Sequence, residues 1–238
     1  MLKYTFRVAL VTVLASFGFN AHATLALFDY GYNVDGVFTN TLQEGFDVDP
    51  STIAGLDESG FDFFTGVGSV TMTFDTVGAH NFVFFVDHEI DQAVSGFTNE
   101  FIDAVGTPEA GQSYEGDEPG FVFGDIYDNV AIGALDNSLN DFDLFPEDAS
   151  MAMGFDLMLA AGEVAVITMT LAEQLPSMLP SFYMVQSDEL VSDVVYFWAT
   201  LSITPAGPPP PTPVTAPAAL GLLMLGFLAL GQRRRLAR

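Results

Sequence analysis

Carboxylates crowd two short stretches of this chain, and no lysine or arginine stands near either. Asp87-His88-Glu89-Ile90-Asp91 closes an apolar run. On a strand, alternate side chains share a face, which groups Asp87, Glu89 and Asp91. Three such charges repel one another unless a cation joins them. Glu115-Gly116-Asp117-Glu118-Pro119-Gly120 forms a second knot, with turn residues that let backbone carbonyls join the acids. Asp125 and Asp128 follow closely, and Asp136-Asn137 and Asn140-Asp141-Phe142-Asp143 come later. Ca²⁺ takes about six to eight oxygens from such loops. The predicted metal ligands are therefore Asp87, Glu89, Asp91, Glu115, Asp117, Glu118, Asp125 and Asp128, with Ca²⁺ as the cofactor. None of these stretches is an established calcium-loop motif. Asn33-Val34-Asp35-Gly36 matches part of an EF-hand loop, but Gly31 and Leu42 stand where its first Asp and its bidentate Glu belong.

Other chemistries find less support. The chain has no cysteine, which excludes thiol catalysis, thiolate zinc sites and iron–sulfur clusters. There is no G-x-S-x-G, and His80 and His88 have no evident serine partner. On one extended strand these two histidines stand about 26 Å apart, too far to share a zinc ion. Acidic neighbours are expected to satisfy both. With 31 acids, carboxylate pairs at a glycosidase separation arise by chance. The single Trp198 lies in a strand-like apolar run and is expected in the core. No catalytic residue is predicted, and the chain is read as a non-enzyme.

The charge balance is extreme. Thirty-one acids face six bases, for a net charge of −25. All six bases lie at the ends, as Lys3, Arg7, Arg233, Arg234, Arg235 and Arg238. Carboxylates between them have no ordinary salt-bridge partner. They must be solvated, bonded to backbone N–H groups, paired with histidine or bound to cations. Nucleic acid is excluded as a partner, because nothing in the body neutralises phosphates. A hydrated acidic surface, for solubility or for life in salt, accounts for much of the overall charge.

The ends carry targeting signals. Lys3 and Arg7 precede the apolar stretch Val8 to Phe19, and Ala21-His22-Ala23 supplies small residues for signal peptidase. Residues 1–23 are thus expected to be a secretory signal peptide. Pro205, Pro208 to Pro211, Pro213 and Pro217 mark 205–217 as a stalk, about 40 Å long as polyproline II. Residues 218–238 follow as a short apolar helix with a basic tail. The apolar part falls short of the roughly 20 residues of a stable membrane span.

Val214-Thr215-Ala216-Pro217-Ala218-Ala219-Leu220, the run Gly221 to Leu230 and the cluster Arg233-Arg234-Arg235 together resemble a PEP-CTERM sorting signal. The resemblance covers about the last 25 residues, and Thr215-Ala216-Pro217 stands in place of Pro-Glu-Pro. The sorting residues it implies are Pro217, Arg233, Arg234 and Arg235. It further implies a Gram-negative bacterium, transient inner-membrane anchoring, processing by an exosortase-like enzyme, and delivery to the cell surface or the exopolysaccharide matrix.

Residues 24–204 are long enough for one domain with a full core. Val70 to Phe74 alternates, as do Met151, Met153, Phe155, Leu157 and Leu159. Ala160 to Gly162 interrupts, and Glu163 to Leu171 resumes, which reads as a hairpin. His80 to Val86 reads as a central strand buried on both faces. Phe121 to Phe123, Phe182 to Val185 and Val194 to Ile203 read as further strands, and Glu89–Val105 as the best helical stretch. Many short strands between turn signals predict an all-β, antiparallel β-sandwich of jelly-roll or Greek-key type, with a single domain. The function expected is that of an exported, non-catalytic cell-surface or extracellular-matrix protein associated with exopolysaccharide or biofilm. A Ca²⁺-dependent carbohydrate-binding module is the alternative, with Tyr114 and Tyr127 as its nearest aromatics. A secreted glycoside hydrolase stands third.

Overall fold

A computed structural model describes residues 25–40, 52–91, 99–119, 124–139 and 148–205. The segments expected to be a signal peptide and a C-terminal helix, most of the expected stalk, and the strand expected at Phe121 to Phe123 lie outside these residues. Within them the chain is mostly strand. β1 (Leu25–Val34), β2 (Val37–Asn40), β5 (Gly78–Ile90), β7 (Gln112–Asp117) and β8 (Ser150–Leu159) form one sheet, in the order β2-β1-β5-β8-β7. β3 (Leu56–Asp62), β4 (Val67–Phe74), β6 (Glu100–Gly106), β9 (Val164–Ala172), β10 (Phe182–Asp188) and β11 (Val194–Thr204) form a second, in the order β3-β4-β9-β11-β10-β6. All pairings between strands are antiparallel. A single helix among the described residues, α1 (Ile126–Ile132), follows β7. No described helix is long and apolar enough to cross a membrane.

The two sheets enclose one core. In β4 the buried residues alternate as Val70, Met72 and Phe74, and in β9 as Ala165, Ile167, Met169 and Leu171. From the first sheet Phe82, Phe84, Met151, Met153 and Phe155 meet them, all fully buried. Phe84 is the hub, with ring centroids 4.9 Å from Tyr32, 5.6 Å from Phe61 and 5.9 Å from Phe197. Such offset and edge-to-face contacts add to the area term for aromatic burial.

β5 is buried on both faces, as its unbroken apolar run predicts. Its other face, Val83 and Phe85, lies under α1 through Ile126, Tyr127 and Val130. Small residues make room for the helix. Gly154 and Ala152 on β8 stand opposite Val83 and Phe85, and a Cβ on Gly154 would come within 2.8 Å of Val83 Cγ2. The helix ends without a basic residue in its last turn. Asparagines from the sheet satisfy its carbonyls instead. Asn33 Nδ2 donates to Val130 O (2.9 Å) and Ala131 O (2.8 Å), and Asn81 Nδ2 donates to Gly133 O (3.1 Å). Gly133, at φ 72°, takes the left-handed closing position that favours glycine.

Four sequence expectations need correction. β8 and β9 are not a hairpin, because β8 pairs with β5 and β7 while β9 pairs with β4 and β11. Ala160 to Gly162 is instead a corner between sheets, closed by Glu163 N donating to Ala160 O and by Ala160 N donating to the Glu163 carboxylate. Period two identifies a strand but not the sheet that it joins. The helix expected over Glu89–Val105 does not span that range: Glu89 and Ile90 end β5 and Glu100 to Val105 lie in β6, while residues 92–98 lie outside the described residues. The helix that does form, α1, lies where the sequence suggested an acidic loop around Asp125 and Asp128. Trp198 is not a core residue. It is half-buried on the outer face of the second sheet, because Val195, Phe197 and Ala199 take the inward positions of β11.

Candidate metal centre

A row of hydroxyl and carboxylate side chains crosses the helix-bearing face of the first sheet. Register sets Asp29 on β1 opposite Asp87 on β5, Asp87 opposite Ser150 on β8, and Ser150 opposite Asp117 on β7. Residues directly opposite on antiparallel strands share a face. Glu89 lies two residues beyond Asp87 on that face. Asp148, two residues before Ser150, falls where the register continues opposite Glu89. The row divides into two groups of acids, one on each side of Ser150.

The first group is Asp29, Asp87, Glu89 and Asp148. Asp87 is 2% exposed and Glu89 4% exposed. Asp87 Oδ1, Glu89 Oε2 and Asp148 Oδ1 are buried and accept no hydrogen bond. Asp29 is held in place: its Oδ1 accepts from the Tyr30 N–H at 2.7 Å and its Oδ2 from the Tyr127 hydroxyl at 2.5 Å. Burial pushes the Asp87 carboxyl well above its usual range, and Asp148, Glu89, Glu100 and Asp29 add to the push. Burial, then Asp148, raises Glu89 to about 7. Burial raises Asp148 to about 6.

Beside this group Glu100 ties the two sheets together. Its Oε1 accepts from Ile90 N at 3.0 Å and its Oε2 from Gln186 Nε2 at 2.6 Å. The same Gln186 nitrogen reaches the carbonyls of His88 (2.8 Å) and Ala149 (3.0 Å). Burial raises Glu100 to about 8, against the opposing effect of its two donors.

The second group, Glu115, Asp117 and Asp125, is tighter, with a ligand atom from each within 4.8 Å of the others. It is also largely satisfied. Glu115 accepts from Asn129 Nδ2 (3.0 and 3.2 Å) and from Asp136 N (3.2 Å). Asp117 Oδ1 accepts from Glu118 N (2.8 Å) and its Oδ2 from Asp125 N (2.7 Å). Burial still raises Glu115 to about 7.

The structure thus brings together Asp87 with Glu89, and Glu115 with Asp117 and Asp125. It separates the other predicted ligands from them. Asp91 turns out of the strand at φ 53°, so the alternation that grouped it with Asp87 and Glu89 stops at Ile90. Glu118 belongs to the second stretch through its backbone N–H, and its carboxylate is not part of the triad. Asp128 is exposed on α1, outside the triad. Pro217, Arg233, Arg234 and Arg235 lie outside the described residues. Asp29 and Asp148 went unrecognised in the sequence. Neither stands in an acidic run, and only strand pairing carries them to Asp87.

The histidines serve other ends. His88 points to the opposite face of β5, is fully buried, and places Nε2 3.0 Å from Gly66 O. Its Nδ1 has no partner, so no acid satisfies it, contrary to expectation. Burial holds it down at about 4, against the opposing pull of that carbonyl. His80 does meet an acid, with Nδ1 2.9 Å from Asp35 Oδ2. Its Nε2 lies 2.8 Å from Thr76 O and 3.3 Å from the Thr76 hydroxyl. These groups line a cavity of about 390 Å³ with Val34, Ile53 and Met72. The order Asp–His–Thr resembles a nucleophile with its base, but the ring faces a carboxylate on one side and a carbonyl on the other. Burial pushes His80 down, and the Asp35 and Thr76 bonds outweigh it, so its pKa is raised. With acceptors facing both ring nitrogens, the imidazole has no lone pair directed at the Thr76 hydroxyl with which to take its proton.

The aromatics named for sugar binding are committed elsewhere. Tyr127 is buried against Phe85, and Tyr114 packs on Phe182 with centroids 4.8 Å apart. A half-buried group of aromatics lies on the outer face of the second sheet. Tyr183 and Tyr196 meet edge to face at 5.9 Å, and Trp198 follows on the same face of β11. No protein family matches the chain, and no curated protein or solved structure shows significant similarity to it.

Proposed function

We propose that this chain is an exported, non-catalytic protein of the cell surface or extracellular matrix, associated with exopolysaccharide. Its β-sandwich, of Greek-key or jelly-roll type, is the body that the C-terminal sorting tail delivers through the inner membrane and an exosortase-like enzyme. One observation carries the reading: every lysine and arginine lies in the first seven or last six positions, against apolar runs, while the described sandwich carries neither. That division orients a membrane-directed tail with its arginines inside and the acidic body outside. The strand exchange between sheets supports the sandwich type, since the chain crosses from one sheet to the other at β2–β3, β4–β5, β5–β6, β6–β7 and β8–β9.

The test is fractionation of cells that express the full chain with a tag in the body, beside a variant with Arg233, Arg234 and Arg235 changed to alanine. The wild type is expected in the outer surface or matrix fraction and the variant in the inner membrane at higher mass. Equal release of both would refute the sorting tail.

A second reading, a carbohydrate-binding module, is favoured by the aromatic face of Tyr183, Tyr196 and Trp198 rather than by Tyr114 and Tyr127. Sugar rings stack on such faces through the same dispersion and π contacts that aromatic pairs use. Retention on purified exopolysaccharide that falls at least tenfold in Trp198→Ala would support it, and unchanged retention would dismiss it.

A further inference from the structure

We propose that Asp87, Glu89, Asp148 and Asp29 form a site for one Ca²⁺ ion on the helix-bearing face of the first sheet. The inference goes beyond the surface-protein reading and stands or falls apart from it, because it concerns the purified chain and not its address.

Four carboxylates on adjacent strand positions would be unremarkable on a solvated surface. These are not solvated. Asp87 and Glu89 are more than nine-tenths buried, and each keeps a buried oxygen without a partner, as does Asp148, while Asp148, Glu89 and Asp29 all repel the Asp87 carboxylate. Buried polar atoms without a partner are rare in native proteins, and a bound ion or water is one established reason for them. The described body holds no lysine or arginine to serve as counter-charge. His88, the nearest base in sequence, faces away and is bonded to Gly66.

The contrast with Glu115, Asp117 and Asp125 sharpens the choice. Those oxygens lie closer together, yet N–H groups of Asn129, Asp136, Glu118 and Asp125 already reach the carboxylates of Glu115 and Asp117. In the looser group Asp87, Glu89 and Asp148 each keep a buried oxygen without a donor, and what these oxygens lack is what a cation supplies. The donors are oxygens alone, which selects a hard cation over zinc or copper. Mg²⁺ demands near-octahedral geometry and keeps its waters. The carboxylates come from β1, β5 and the approach to β8, and no three of them bring ligand atoms within 4.8 Å of one another, so the ion has to draw them inward, which the longer bonds and flexible geometry of Ca²⁺ allow. Tyr127 completes the arrangement by fixing Asp29 through its hydroxyl, so that this carboxylate keeps its orientation whether or not the ion is bound.

Protons are the competing occupant, since crowded acids are able to share them. The experiment separates the two. The full-length chain, stripped with EDTA, is titrated with CaCl₂ by calorimetry, and with TbCl₃ while exciting tyrosine. One saturable Ca²⁺ phase is expected, with Kd at or below about 1 mM, the range of extracellular calcium modules. Tb³⁺ emission should rise through Tyr127 and fall again when Ca²⁺ is added. Asp87→Asn and Glu89→Gln should each weaken Ca²⁺ at least tenfold, while Glu115→Gln leaves it within twofold. Tyr127→Phe should keep the fold and remove most of the sensitised emission. Far-ultraviolet dichroism of each variant shows that it has folded. Absence of a saturable phase up to 10 mM Ca²⁺ (about tenfold above that range) would overturn the proposal and leave the acids as proton holders. Loss of binding in Glu115→Gln with Asp87→Asn unaffected would overturn it too, by moving the ion to the other triad.

Discussion

Replacing Asp87 by asparagine should have opposite effects with and without calcium. The substitution keeps size and shape and removes one negative charge from a side chain that is 2% exposed. In EDTA the wild type holds this carboxyl beside Asp148, Glu89, Glu100 and Asp29 with no counter-charge. A buried charged group without a partner costs on the order of 1–3 kcal/mol, and the amide escapes most of that. Asp87→Asn should therefore melt higher than wild type in EDTA. A domain of this size moves by about 2–4 °C per kcal/mol, which gives a rise on the order of 2–10 °C. With Ca²⁺ at a hundred times Kd, the wild type gains about 2.7 kcal/mol by mass action, or roughly 5–10 °C. The variant, short of one ligand, should gain little. The two orders of stability thus cross as calcium is added. Differential scanning calorimetry of both full-length chains at matched ionic strength reads this directly. A variant that is less stable than wild type by the same amount in EDTA and in calcium would refute the reasoning, because Asp87 would then be an ordinary structural polar group.

Phe84→Ala should destabilise by about 3–5 kcal/mol, the cost of removing a fully buried ring; a loss under 1 kcal/mol in chemical denaturation would mean that the core collapses around the gap. Gly66→Ala sets a Cβ 2.1 Å from His88 Nε2 at a backbone φ of 70° and should cost on the order of 2–4 kcal/mol by the same assay. A neutral result would show that the buried imidazole moves freely. For Glu115, burial raises the folded pKa to about 7 from an ordinary 4.5. The sign follows from linkage: the stability tied to this group is full below about pH 4.5 and is lost as pH rises through about 7. Glu115→Gln should flatten that stretch of the stability–pH curve, with Asp125 and Asp136 left as the charged neighbours; a curve of unchanged slope would contradict the assigned burial.

The sandwich was legible where burial alone fixes the pattern. β4, β10 and β11 follow from alternation, and β5 from an apolar run too dense for one open face. Partner choice was not legible. Nothing local distinguishes a hairpin at Ala160 to Gly162 from the corner between sheets that it is, since both need the same tight turn. The helix α1 is only seven residues long, too short for a periodic signal, and its aspartate and asparagine read equally well as loop. Gly133 at its end was the available clue. Asp35-Gly36 was a second clue passed over: both residues have positive φ, and together they form the two-residue turn that joins β1 to β2. Within the acidic groups, local runs exposed Asp87 with Glu89 and Glu115 with Asp117. Asp29 and Asp148 join only through pairings between strands far apart in sequence.

The outer edges of the second sheet bear on how copies of this chain behave when crowded. An unpaired strand edge invites a neighbour to add on, and proteins blunt such edges with charge, bulges or brevity. β3 has two of these defences: a register shift between Asp57 and Gly60, and the exposed acids Asp57 and Asp62. Backbone N–H groups, from Ser59 to Asp57 and from Phe64 to Asp62, hold both carboxyls below their usual range. They stay ionised when the surroundings turn acid. At the opposite edge β6 presents Asp103. Two molecules meeting edge to edge thus set like charges against each other within about 8 Å, the reach of electrostatics at physiological salt. A body without lysine or arginine has no strong base with which to reverse that encounter, so copies packed together resist fibre growth through their strands.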